Sequence, residues 1–248
     1  MLYIVGGLAV LVLSGLMAMA GLGAAFLFVP LFYYLGVPLP EATSTALLLN
    51  AVSLSLATVS YGRGHLINWR VGLPVLVAAT ILAPLGASFT ARVDRHVLLG
   101  LFAAFLVFAG TMMLFYRAKA GKPAASAATT AGVGVGVGGV AGFLGGLLGV
   151  GGGNIVLPGL TWLGLETKMA AGTTALVVVF SSLSGFAGHA AIGHLDPWFV
   201  VTMAILAAVG SLVGSHLMQT RLSSGQLKRI IGVLLWVIAI KIALDAIG

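Results

Sequence analysis

Apolar runs close to twenty residues long recur down this chain between short polar breaks, and no other feature constrains its fold so strongly. A run of that length crosses a hydrocarbon layer about 30 Å thick as a single helix. The runs fall at about residues 2 to 20, 24 to 36, 42 to 61, 70 to 91 and 96 to 116, and again at about 131 to 149, 154 to 164, 169 to 191, 198 to 219 and 226 to 247. Of the 248 residues, 60% are hydrophobic and 7% are charged, too few to cover a water-soluble globule with polar surface. The expected class is therefore an all-α integral membrane protein, with no stretch outside the runs long enough to fold as a soluble module. The first run lacks a basic lead-in and continues through Gly21 and Gly23 into further apolar sequence, so it reads as mature protein rather than a signal peptide.

Sliding the chain against itself exposes a second constraint. At a displacement of 128 positions (149 less 21), Gly21 meets Gly149, Gly23 meets Gly151, Pro30 meets Pro158 and Gly36 meets Gly164. One inserted residue later (174 less 45), Thr45 meets Thr174, Ser53 meets Ser182 and Arg92 meets Arg221. Gly64-His65-Leu66-Ile67-Asn68-Trp69 also matches Gly193-His194-Leu195-Asp196-Pro197-Trp198, sharing a His and a Trp that are scarce here. The expectation is two homologous repeats, 1 to 116 and 131 to 248, joined by a linker over 117 to 130.

Loop charge votes on how the repeats are oriented, because Lys and Arg resist translocation. If each half crosses four times, Arg63, Arg70, Arg117, Lys119 and Lys122 face Arg92, Arg95, Lys168, Arg221, Lys228 and Arg229, five against six. If a glycine-rich break turns the chain back in each half, Lys168, Arg221, Lys228 and Arg229 change sides and the tally becomes nine against two. The sequence thus favours repeats of inverted topology, each with a broken helix or helical hairpin plus three spans. The linker is then cytoplasmic and both termini lie outside. The formal charge of +7 is accounted for by these loops, so nucleic acid is not an expected partner; the lipid bilayer is. Self-association into a homo-oligomer is not decided by sequence. With no cysteine and five histidines lacking acidic neighbours, no metal and no cofactor are expected.

Six glycines occupy the ten residues from Gly145 to Asn154, inside an otherwise apolar run. Glycine costs about 1 kcal/mol relative to alanine within a helix, and backbone groups freed by a break must find partners inside protein or in a watery cavity. For Gly132, Gly134, Gly136 and Gly138, spaced by two, close helix packing is the reading. For Gly149 to Gly153, two readings stay open: packing, or a break that presents bare N–H groups to a ligand. In the second, Asn154 is an N-cap and the half-helix after it turns its positive end, with Gly151, Gly152 and Gly153, toward an anion. Gly21 and Gly23 form a weaker counterpart. The next span of each half opens with hydroxyls, Thr43, Ser44 and Thr45 in one and Thr173 and Thr174 in the other, with Asn50 and the serines 53, 55, 181, 182 and 184 farther along. Such hydroxyls often bond only their own backbone, but their clustering in both halves suits a small anion held by uncharged donors. Trp69 and Trp198 read as anchors at the headgroup level. His65, His194 and the deeper His189 are candidates for a proton-linked role. No carboxylate falls at mid-span, so strong ion coupling is not expected. An anion leaving a cell negative inside gains about 2.3 kcal/mol per charge per 100 mV without it.

In the order and duplication of these elements the chain resembles the sulfite exporter TauE/SafE family of membrane permeases. The resemblance is carried by Gly151-Gly152-Gly153-Asn154 to Pro158, by Gly172-Thr173-Thr174 and by the paired Gly-His-Leu-x-x-Trp elements. It implies passage of sulfite, sulfonates or related sulfur-containing anions across the bacterial inner membrane. The family's run of glycines is reduced to Gly23-Ala24-Ala25 in the first half, so the two halves are not expected to contribute equally. The alternatives are a passive anion channel, which the missing carboxylate also permits, and a membrane enzyme, for which no nucleophile and base stand together.

Overall fold

In lipid every backbone N–H and C=O must be bonded within the protein, and a chain this apolar meets that demand with helices. A computed structural model describes residues 2–18, 22–90, 92–115, 127–189, 197–220 and 224–247. The helices are α1 (Leu2–Ala18), α2 (Ala25–Tyr34), α3 (Leu39–Arg63), α4 (Trp69–Thr90), α5 (Arg95–Phe115), α6 (Ala127–Leu148), α7 (Gly153–Trp162), α8 (Thr167–His189), α9 (Pro197–Thr220) and α10 (Ser224–Ile247). No strand occurs among the described residues. Among the described residues, six helices are long and apolar enough to cross a membrane. The expected runs and the observed helices correspond one to one. The largest boundary difference is at α6: Ala127 to Thr130, expected in the linker, already belong to it. Alanine is the strongest helix former, and the span reads as starting only after Thr130 when polarity is taken for a break.

α2 and α7 are 10 residues each, about 15 Å, half a membrane. Both turn back on the helix before them. A Cβ placed on Gly152 would collide with the Ala141 carbonyl and one on Gly159 with Val137, so numbers fall along α6 as they rise along α7. Gly6, near the start of α1, lies against Leu35 just past the end of α2. Each pair is thus a helical hairpin, the second of the two chain paths considered from loop charge.

Packing on the hairpins follows the small residues. Cβ atoms on Gly138, Gly142 and Gly146 would strike the carbonyls of Val75, Ala79 and Ala83, so α6 lies backbone to backbone along α4, running parallel to it. Glycines four apart share one helix face and permit this approach. The packing expected of Gly132 to Gly138 holds for Gly134, which faces Val75 and Pro74, and for Gly138, but not for Gly132 and Gly136, which meet nothing within 4 Å: residues two apart point to opposite sides, and the packing row runs through Gly134, Gly138, Gly142 and Gly146. α1 lies on α9 in the same way, with Gly210 against the Leu11 carbonyl and Gly214 against that of Gly15. α3 and α8 pack on each other, α5 packs on α10, and α3 and α8 also touch α9 and α4 respectively. Outward, α4 presents Leu73, Val77, Ile81, Leu85 and Phe89, and α9 presents Val201, Ile205, Val209 and Val213. These bare apolar stripes are explained by lipid as the solvent.

Polar contacts sort the helix ends into two faces. On one, Tyr34 donates to Asp245 (3.0 Å) and Arg95 donates to Tyr33 (2.8 Å). On the other, where α3 ends and α8 begins, the N–H of Asn68 donates to Thr173 Oγ1 (2.9 Å). Phe115 lies at this second face, because α5 runs there from Arg95; of the expected linker, residues 117–126 lie outside the described residues.

Candidate functional site

The turn of the second hairpin is made by Gly149, Gly151 and Gly152, with φ of +72°, +72° and +75°. A left-handed conformation costs an L-residue about 1–2 kcal/mol, so three within four residues select glycine. Gly23 has the same conformation in the first hairpin, at φ +74°. The expected cap is displaced: Gly152 is the N-cap of α7, with no side-chain capping bond, and Asn154 is the second helical residue. The successive left-handed glycines reverse the chain early enough for the helix to begin at Gly153. Asn154 is 4% exposed and its Nδ2 has no partner. Among the described residues, no acceptor is bonded to the N–H of Gly153 or Asn154 either.

The first hairpin solves the same end differently. Asn50, in mid-α3 and fully buried, accepts through Oδ1 from the N–H groups of Ala24 (2.8 Å) and Ala25 (3.3 Å), and its Nδ2 donates to Ser182 Oγ on α8 (2.9 Å). A partial negative charge thus faces the positive end of α2. The two hairpin tips converge on this carboxamide. A Cβ on Gly23 would collide with Asn50 Oδ1, and one on Gly151 would come within 2.5 Å of Asn50 Nδ2 and 2.8 Å of Ser182 Oγ. Gly153 lies against the Leu22 carbonyl, and Ser181 Oγ reaches the Gly151 carbonyl (3.3 Å).

The hydroxyls divide. Thr173 Oγ1 accepts from Asn68 N–H and donates to the Met169 carbonyl (2.8 Å), so it ties α8 to the start of α4. Ser44 Oγ and Thr174 Oγ1 are buried without partners. Thr45 is buried beside Ser44, and Thr43, just before them, sits where a Cβ on Gly149 would strike it. The α7 end offers neutral N–H donors and the Asn154 amide, whereas Ser44 and Thr174 lie to opposite sides of it, because α3 and α8 run antiparallel with Leu47 beside Gly185, Asn50 bonded to Ser182 and Leu66 beside Gly172. A chloride-sized or tetrahedral oxyanion could be held there without burying a cation.

His189 ends α8 at the face of Tyr33 and Arg95. Its Nε2 is 2.8 Å from the Gly146 carbonyl, and its Nδ1 is buried and unpartnered. Tyr61, near the end of α3, donates in the same manner to the Ala18 carbonyl. The pairs are displaced by the same 128 positions in both members (189 less 61, 146 less 18). Each ties a long helix to the last turn of a hairpin's first arm. Beside His189 opens a cavity of about 610 Å³ lined also by Tyr33, the loop from Gly36 to Pro40, Thr90, Val93, Arg95 and Leu98. Sequence reasoning missed this cavity, taking Arg95 for a topological charge alone; only its place four residues from the end of a span hinted otherwise. His65 is not among these groups. It stands exposed just past α3, in a left-handed conformation (φ +54°), where its N–H donates to the Gly62 carbonyl (3.1 Å) and that of Leu66 to Tyr61 (3.0 Å), closing the helix end. Gly21 and His194 lie outside the described residues.

A family model described as "Sulfite exporter TauE/SafE" matches residues 4–242. The chain is 25% identical over 246 residues to "Probable membrane transporter protein YunE" of Bacillus subtilis, covering 86% of this chain and 90% of that one. It is 27% identical over 199 residues to a "Probable membrane transporter protein" of Haemophilus influenzae, covering 75% and 73%. A similarly described protein of Methanocaldococcus jannaschii is 34% identical over 113 residues, covering 43% of this chain and 42% of its own. No solved structure matches.

Proposed function

The chain belongs to the sulfite exporter TauE/SafE family of multi-pass membrane transporters, and we propose that it exports a small sulfur-containing anion, sulfite or an organosulfonate, across the bacterial inner membrane. The anion sits at the N-terminal end of α7, held by the N–H groups of Gly153 and Asn154 and by the Asn154 carboxamide. One observation carries this reading: α2 and α7 begin at corresponding positions, but the donors of α2 are taken by Asn50 while those of α7, and Asn154 Nδ2 beside them, are free. Left-handed Gly151 and Gly152 set the direction in which α7 starts; Asn50 and Ser182 buttress it from the neighbouring spans. Asn50 is accordingly a positioning residue.

The halves act as inverted repeats. Support comes from the two hairpins, from the equal displacement of the Tyr61 and His189 braces, and from packing in which α1 on α9 mirrors α6 on α4. Movement of one half against the other would expose the α7 end to each face in turn. Counterflow of radiolabelled sulfite into liposomes holding the purified chain tests the reading. Saturable counterflow that Asn154→Ala reduces about tenfold is expected. Flux that is intact in Asn154→Ala refutes the site, and flux that never saturates refutes a carrier in favour of a channel.

A further inference from the structure

The cavity beside His189 is separate from the hairpin tips, and its chemistry differs: it has a full positive charge and a buried imidazole. Arg95 uses one donor on Tyr33 and lies over that ring with its guanidinium carbon 5.9 Å from the centroid. Among the described residues no carboxylate pairs with it, so most of its five N–H donors are available to the cavity. His189 borders the cavity at 1% exposure. A carbonyl oxygen can only accept, so the bond to Gly146 fixes the proton of neutral His189 on Nε2. Nδ1 is then a buried lone pair without a donor. A site with a cation at one wall and, in the side chain that borders another, a buried acceptor without a donor fits an anion that still carries an O–H.

We propose that this cavity is a binding site for a monoprotonated oxyanion, whose charge is met by Arg95 and whose hydroxyl donates to Nδ1 of His189. The inference rests on the anion-transport reading and adds to it a second station at the face away from the linker, with a preference for hydrogen sulfite over both the dianion and a sulfonate. Size allows it, since about 610 Å³ holds such an ion with several waters. The charged or titratable groups lining the cavity with His189 are Arg95 and Tyr33; of the helices packed on α8, α4 faces it with Thr90, α3 with Leu39 and Pro40, and α6 with the Gly146 carbonyl, none of which titrates.

The experiment measures both sulfite transport and direct sulfite binding to the detergent-solubilised full chain, with methanesulfonate, a monoanion lacking an O–H, as the competing probe. In the native chain the KM for total sulfite should rise several-fold from about pH 6 to about pH 8, as hydrogen sulfite gives way to the dianion. Methanesulfonate should compete poorly. Arg95→Gln should raise KM about tenfold with kcat retained. His189→Gln keeps an amide N–H for Gly146 but has no acceptor at the Nδ1 position. It should lose the pH dependence of KM and bind sulfite no better than methanesulfonate. An unchanged KM in Arg95→Gln, or a pH dependence that survives His189→Gln, overturns the proposal. Binding weakened by both variants in a chain that shows no flux would keep this site and sink the transport reading; flux with binding indifferent to both would do the reverse.

Discussion

Replacing Gly151 with alanine tests whether the hairpin tips close on Asn50. Two costs follow from the geometry. The left-handed φ of +72° penalises any L-residue by about 1–2 kcal/mol. The added Cβ would also lie 2.5 Å from Asn50 Nδ2 and 2.8 Å from Ser182 Oγ, which are the two ends of one 2.9 Å hydrogen bond. Both atoms belong to short, fully buried side chains with little room to retreat, so the bond must open. Leaving its buried ends unsatisfied costs about 1–3 kcal/mol. The sum is about 2–5 kcal/mol. Gly136→Ala is the control, because the same change on the open flank of α6 meets nothing within 4 Å and gains up to about 1 kcal/mol of helix propensity. Denaturant-detergent titration of the purified chains, followed by far-UV circular dichroism, should therefore show opposite signs for the two substitutions. Sulfite counterflow should fall in Gly151→Ala and persist in Gly136→Ala. A Gly151→Ala chain as stable and active as the native one would refute the convergence of both tips on Asn50.

The absence of cysteine makes topology directly measurable in whole cells with single-cysteine variants and a membrane-impermeant maleimide. His65→Cys, on the linker's face, should stay unlabelled until the membrane is permeabilised, while Trp198→Cys should label at once; labelling of both from one side would refute inversion of the repeats. Tyr61→Phe removes only the donor to the Ala18 carbonyl and should lower stability by about 1 kcal/mol in the same titration. No loss there would mean that the Tyr61 brace carries nothing.

Membrane class, ten helical segments and the two chain breaks were legible because each rests on local information. Hydropathy over twenty residues reports the solvent, and a cluster of glycines reports that a helix cannot continue. The comparison of the halves even indicated that they would be unequal, since Gly23-Ala24-Ala25 lacks the flexibility of Gly151 to Gly153. What local information could not supply was the partner of each polar group. Asn50 read as a ligand contact, and the fold gives its carboxamide to Ala24, Ala25 and Ser182. Asn154 read as a cap, and three left-handed glycines moved the helix start ahead of it and left its amide free. Thr173 and Thr174 are neighbours in sequence, yet a rotation of about 100° along α8 binds the first to the α4 entry and leaves the second without a partner.

By itself, then, the sequence determined that this chain lives in lipid, that it is helical, and where its helices must break. Tertiary structure alone decided which of two similar helix ends is filled and which is left open, and that Arg95 and His189 share a cavity. The physical reason is that a break is a property of a few consecutive residues. Whether its bare N–H groups are satisfied depends on side chains from other helices, such as Asn50 and Ser182, that meet only when the bundle packs.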